Sequence, residues 1–198
     1  SFHFKFKSKQ SFAFFTNQSA KFGDTLLASN HILLQLIAFS AFFLDGYAFV
    51  AEALVGNAIG SKRRDIFDLA VRRTTVLAAA TAMLLALAIL ALGDVAVTGL
   101  TDISAVRLAV NPLLPFAALY VLLSFAAFQL DGIFIGASFT RQMRDAAVLS
   151  ITVYLIAWWI LAGQFGIEGL WTAMIIYVIA RALALLLFYP SLRRSVGV

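Results

Sequence analysis

Five stretches of this chain are apolar for longer than a soluble fold requires, and they leave little else to build with. They run over Leu26–Ile59, Thr74–Leu92, Leu113–Ala137, Ala146–Ala162 and Leu170–Tyr189, each dominated by Leu, Ala, Ile, Val and Phe. A helix needs about 20 apolar residues to cross the hydrocarbon core of a bilayer. With no water in that core to satisfy backbone N–H and C=O groups, helices are the economical form, and the strict alternation of a barrel strand is absent. The sequence therefore predicts an all-α, polytopic transmembrane helical bundle of about five full helices. A sixth run at Ser11–Ala20 is too short to span and reads as the tail of a truncated helix. Composition agrees. Hydrophobic residues make up 62% of the 198 and charged residues 13%, mean hydropathy is +0.94, and soluble domains are only about 45–50% apolar.

The ends divide the chain further. Residues 1–10 alternate Phe2, Phe4 and Phe6 with His3, Lys5 and Lys7, without the apolar centre or cleavage site of a signal peptide. They are expected to be a frayed or truncated segment, with the bundle over 11–194 and a short cytoplasmic tail at 195–198. A net charge of +5 does not point to nucleic acid, because the basic residues cluster between apolar runs and form no continuous polar face. They report topology instead. Lys62, Arg63, Arg64, Arg72 and Arg73 lie in one break, Arg141 and Arg144 in another, and Arg193 and Arg194 in the tail; all fall on one side if the helices alternate. The opposite breaks, Gly93–Pro112 and Gly163–Gly169, hold Arg107 against Asp94, Asp102 and Glu168. The excess of Lys and Arg marks the cytoplasmic side, which puts the C-terminus there. Trp158, Trp159 and Trp171 fall near the outer interface and are expected to form an aromatic belt.

Little in the sequence suggests an enzyme. Cysteine is absent and there are two histidines, His3 and His31, so disulfides, thiolate chemistry and a metal cluster are not expected. Gly56–Lys62 only superficially resembles a phosphate loop, since the spacing between its glycines and the place of its Lys are wrong. No nucleophile with a neighbouring base stands out. What remains is a set of ionisable residues inside apolar runs, each costing about 2.5–3.5 kcal/mol on insertion scales unless it has a partner, a cavity or a function. Asp45, Glu52, Asp131 and Arg181 qualify. Asp45 and Glu52 are seven residues apart, about 700° around a helix, and so share nearly one face. A carboxylate at such depth suits the uptake and release of a proton, or the holding of a sodium ion. Arg181 cannot shed its charge and is expected to be a fixed counter-ion to Asp45 or Asp131.

A short internal repeat accompanies these acids. Leu44-Asp45-Gly46 and Leu130-Asp131-Gly132 recur in two helices expected to run the same way, and GxxxG pairs follow at Gly56/Gly60 and Gly132/Gly136. Small residues at that spacing allow close helix packing.

These blocks are also where a family likeness appears. Phe43–Gly56, followed by Ile59-Gly60, resembles the eighth helix of the multidrug and toxin extrusion family in its DNA-damage-inducible F branch. Gln129–Ala137 running into Thr140-Arg141-Gln142-Met143-Arg144 resembles the tenth helix, and Gly169-Leu170-Trp171 with Ala180-Arg181-Ala182 the twelfth. The likeness spans about Ser11 to Arg194. It implies one lobe, the C-terminal half, of a two-lobe transporter, with a six-helix N-terminal bundle as its missing partner. It implies secondary antiport across the inner (plasma) membrane, in which amphiphilic or cationic drugs leave as protons or sodium ions enter, with no other cofactor. Asp131 occupies the tenth-helix position that contributes to cation binding in some branches, while Asp45 and Glu52 match residues characteristic of this branch. The alternative is a non-transporting membrane subunit or an inactive truncated half.

Overall fold

The computed structural model describes residues 23–196. The expected frayed start and the short run at Ser11–Ala20 lie outside the described residues. Five α-helices follow in order: α1 Asp24–Gly60, α2 Arg64–Leu100, the short α3 Ser104–Val110, α4 Leu114–Gly136 and α5 Thr140–Ser195, with a 3₁₀ turn at Asn111–Leu113 leading into α4. Among the described residues, four helical stretches are long and apolar enough to cross a membrane, α3 running on into α4 as one of them.

The expected count of five full spans is not matched, and the reason lies in α5. Its 56 residues would extend roughly 84 Å if straight, nearly three times a hydrocarbon core of about 30 Å. The helix breaks at Gly166, whose φ of 55° and ψ of −125° lie in a region open essentially only to glycine. The predicted fourth and fifth spans are thus two arms of one assigned helix, over 140–165 and 167–195. They fold back on each other: the Tyr154 and Tyr177 rings meet edge to face at 5.9 Å. A side chain on Gly169 would collide with the Leu161 carbonyl. The expected loop at Gly163–Gly169 is therefore a single reversed residue within helix.

The other boundaries shift for similar local reasons. Helix α2 continues past Gly93 to Leu100, and the break beyond is closed by Arg107, whose Nε donates to the Thr101 carbonyl at 2.8 Å and whose Nη2 donates to the Thr98 carbonyl at 3.1 Å. The basic segment after α4 is also shorter than expected, since Arg141 and Arg144 already belong to the first turns of α5.

Small residues bring the helices together. α2 turns Ala70, Thr74, Ala78, Ala82 and Ala86 inward at four-residue spacing, all buried. Helices α1 and α4 run parallel and cross more tightly still: a Cβ on Gly132 would strike the Ala48 carbonyl, and one on Gly136 the Glu52 carbonyl. Of the other glycine pair only Gly56 joins this crossing, where an added Cβ would lie 3.4 Å from the Gly136 carbonyl oxygen; Gly60 faces open space. With no hydrophobic drive between helices in lipid, this backbone approach is what dispersion needs.

Two apolar clusters fill the bundle, one near each end. The first joins Leu33 and Ile37 of α1 to Val97, Val110, Leu113 and Trp171; the second joins Val55, Phe67, Ile133, Phe134 and Leu185 at the basic end. Leu108, Trp159 and Leu187 are at least three-quarters exposed, as residues facing acyl chains would be. Between the clusters lie buried polar groups, Asp131 and Arg181 among them.

Candidate functional site

Helices α1 and α4 and both arms of α5 line an open cavity of about 1200 Å³. Helix α2 takes no part. Each helix contributes residues three or four apart, the stripe that faces one side: Leu34, Ala38, Ala41 and Asp45 from α1, and Val121, Ser124, Phe128 and Asp131 from α4. Most of the lining is therefore apolar, with charge at separate levels. His31 and Gln35 sit at one end, bonded to each other at 3.2 Å. Arg141 and Arg144 sit at the basic end, and Asp45, Asp131 and Arg181 lie between.

The two LDG acids line the same cavity in different surroundings. Asp45 is half-buried on α1. Asp131 is 4% exposed, and Arg181, on the second arm of α5, is 7% exposed. Arg181 Nη2 donates to Asp131 Oδ1 at 2.6 Å, and its Nη1 donates to the Met143 carbonyl at 3.3 Å. One guanidinium therefore ties α4 to both arms of α5. Of the two acids considered as its partner, the structure brings Asp131 to it. Removing one member of such a buried pair typically costs about 3–5 kcal/mol, because the other charge is left uncompensated.

Glu52, expected on nearly the same face as Asp45, does not join it in the cavity. It is half-buried but is not among the residues lining this cavity. It lies two helical turns below Asp45, at the level where its own carbonyl abuts Gly136 in the α1–α4 crossing. Trp171 is also corrected. It is fully buried, with Nε1 donating to Asn30 Oδ1 at 2.9 Å, and so joins the second arm of α5 to α1 instead of sitting in an interfacial belt. Trp159 is exposed and Trp158 half-buried.

Sequence reasoning passed over several groups. Gln129 and Thr74, both buried, bond at 2.5 Å between α4 and α2. Tyr47 and Thr81 hydroxyls bond at 2.9 Å between α1 and α2. His31, Arg141 and Arg144 all line the cavity. Asn30 and Gln129 do carry a sequence signal, since an amide inside an apolar run needs a partner. At the basic end, Arg193 grips Asp68 with two bonds of 2.7 Å, closing the last helical turns onto the start of α2.

Two comparisons with known proteins bear on this arrangement. Residues 10–160 match the family model described as MatE. Over 183 residues the chain is 27% identical to DNA damage-inducible protein F of Escherichia coli (strain K12), covering 88% of this chain and 38% of that protein. The chain thus spans well under two thirds of that relative's length.

Proposed function

The chain belongs to the MatE family, and from that premise we propose that this integral membrane bundle is one lobe of a secondary active antiporter exporting drugs or other xenobiotics. The observation that carries the reading is the cavity. At about 1200 Å³ it exceeds the roughly 300–1,000 Å³ typical of small-molecule pockets, and its apolar wall with a few charged groups suits amphiphilic or cationic compounds held loosely. The outward drug movement is coupled to inward movement of protons or sodium ions, with Asp45, Glu52 and Asp131 as the candidate carboxylates. Arg181, bonded to Asp131, is proposed as the fixed counter-ion.

The second wall of the chamber is a six-helix N-terminal bundle, and alternating access comes from rocking one bundle against the other. The basic end faces the cytoplasm, by the Lys and Arg excess, so the C-terminus is cytoplasmic and the protein is multi-pass in the inner (plasma) membrane. The test is fluorescent-dye accumulation in a host stripped of its own efflux pumps. Expression of the polypeptide that carries this bundle lowers accumulation, and Asp45→Asn restores it. Dye levels that do not respond to expression reject the proposal.

A further inference from the structure

Two adjacent arginines stand on the outer side of α2. That helix buries Ala70, Thr74 and Ala78 against the bundle. On the side opposite, Leu69, Arg72, Arg73, Val76 and Leu77 are all exposed, at the three- and four-residue spacings of one helical face. Arg72 and Arg73 come directly before the apolar run that opens at Thr74, where hydrocarbon gives way to headgroups. Helical side chains lean toward the N-terminus, and the N-terminus of α2 is its basic end. Both guanidiniums therefore reach back into the headgroup layer while their methylene stems stay against the apolar surface.

The acids nearest to them are engaged elsewhere. Asp68 precedes Arg72 by four residues, the spacing at which an acid and a base pair on a helix, but its two oxygens accept from Arg193 at 2.7 Å each. Asp65 accepts from Arg63 Nη2 at 2.6 Å. The residues three and four away from Arg73 are Leu69, Ala70, Val76 and Leu77, so its own helix offers it no acid at all. Among the described residues neither Arg72 nor Arg73 makes an ion pair. Helix α2 also lines none of the cavity, so a second bundle closing that cavity leaves this stripe to the lipid.

We propose that Arg72 and Arg73 form a binding site for the headgroup of an acidic phospholipid. Its phosphate accepts charge-assisted hydrogen bonds from the two guanidiniums, and an acyl chain lies along Val76 and Leu77. Side-by-side positive charges with no acid to neutralise them call for an anion. The exposed apolar groups directly beneath call for a chain attached to it, which a soluble phosphate lacks. The orientation proposed above turns the site toward the cytoplasmic leaflet, the one rich in acidic lipids. This inference goes beyond the transport reading and does not depend on it.

Quenching by brominated lipid tests the site directly. The chain has no cysteine, so Ala80→Cys, on the same exposed stripe and about 10 Å deeper than Arg73, gives a fluorescent label one place to attach. The labelled protein is held in phosphatidylcholine vesicles, and brominated phosphatidylglycerol or brominated phosphatidylcholine is added in steps. Phosphatidylglycerol is expected to quench at least about tenfold more effectively per molecule, each arginine near a membrane surface contributing about fivefold. The double substitution Arg72→Gln, Arg73→Gln brings the two lipids within about twofold of each other. Arg63→Gln, which removes a charge already held by Asp65, leaves the preference within about twofold of its original value.

Equal quenching by the two lipids in the protein with both arginines overturns the proposal. So does a preference that survives the double substitution, or one that falls as far with Arg63→Gln, since a diffuse positive field would then account for it. Inorganic phosphate added at constant ionic strength is expected to leave the preference intact, and abolition of the preference by phosphate would mean a site for a free anion instead of a lipid. Quenching requires no drug movement, so a protein that exports nothing defeats the transport reading while leaving this test intact.

Discussion

Replacing Gly132 by alanine should loosen the bundle far more than the same change at Gly60, although both glycines belong to GxxxG pairs in apolar helices. At Gly132 the new methyl would lie 2.9 Å from Ala48 Cα, where carbon atoms prefer about 3.5–4.0 Å, and it would overlap the Ala48 carbonyl. The obstacle is main chain, which cannot rotate away, so α1 and α4 must part by something approaching an ångström. Overpacking of this kind costs about 1–3 kcal/mol. At Gly60 nothing lies within 4 Å, and only the gain in helix propensity acts, up to about 1 kcal/mol. The propensity gain is common to both variants, so they should differ by about the overpacking cost alone, about 1–3 kcal/mol. For a chain of this size that is a gap of about 2–12 °C in melting temperature. Thermal unfolding of the purified protein in one detergent, followed by helical circular dichroism, measures it. Equal melting temperatures for Gly132→Ala and Gly60→Ala would refute the close crossing of α1 and α4.

Three further outcomes follow from the same geometry. Asn30→Ala leaves the fully buried Trp171 Nε1 without its acceptor and should lower stability by about 1–3 kcal/mol, whereas Trp159→Phe on the exposed surface should stay within about 0.5 kcal/mol; the same melts compare them. Gln129→Leu should be tolerated within about 1 kcal/mol, because Gln129 Oε1 has no partner among the described residues, Thr74 still bonds the Ala70 carbonyl, and bonds between membrane helices average only about 0.6 kcal/mol. Gly166→Ala should cost about 1–3 kcal/mol by forcing a side chain into the reversed backbone of the α5 hairpin, and protease sensitivity between the two arms should rise with it.

The sequence made the helices, their approximate depth and the polar residues at odds with that depth legible, because apolar run length and intramembrane charge are one-dimensional signals. It placed Asp45 and Asp131 in one helical bundle and offered either as the partner of Arg181. Choosing between them needed three dimensions, since only the crossing of α4 with the second arm of α5 sets which carboxylate the guanidinium reaches. Trp171 was misread for the same reason. Its position along the chain is interfacial, but Asn30, more than a hundred residues away in sequence, draws it inward. Glu52 shares a face with Asp45 on a helical wheel, yet two turns of rise carry it to the α1–α4 crossing beside Gly136, where it does not line the cavity. Gly166 fell inside a stretch correctly recognised as a break, but periodicity does not reveal that one residue suffices to reverse the chain.

The account depends on an ion-responsive acid in the wall of a drug-sized cavity, and imposed gradients test that most directly. The polypeptide that carries this bundle, reconstituted in vesicles with a proton gradient in one series and a sodium gradient in the other, is predicted to move a fluorescent amphiphile against its concentration under at least one of them. That movement is predicted to stop in Asp45→Asn. Transport that proceeds without either gradient, or that continues unchanged when both Asp45 and Asp131 are replaced by asparagine, would contradict the account.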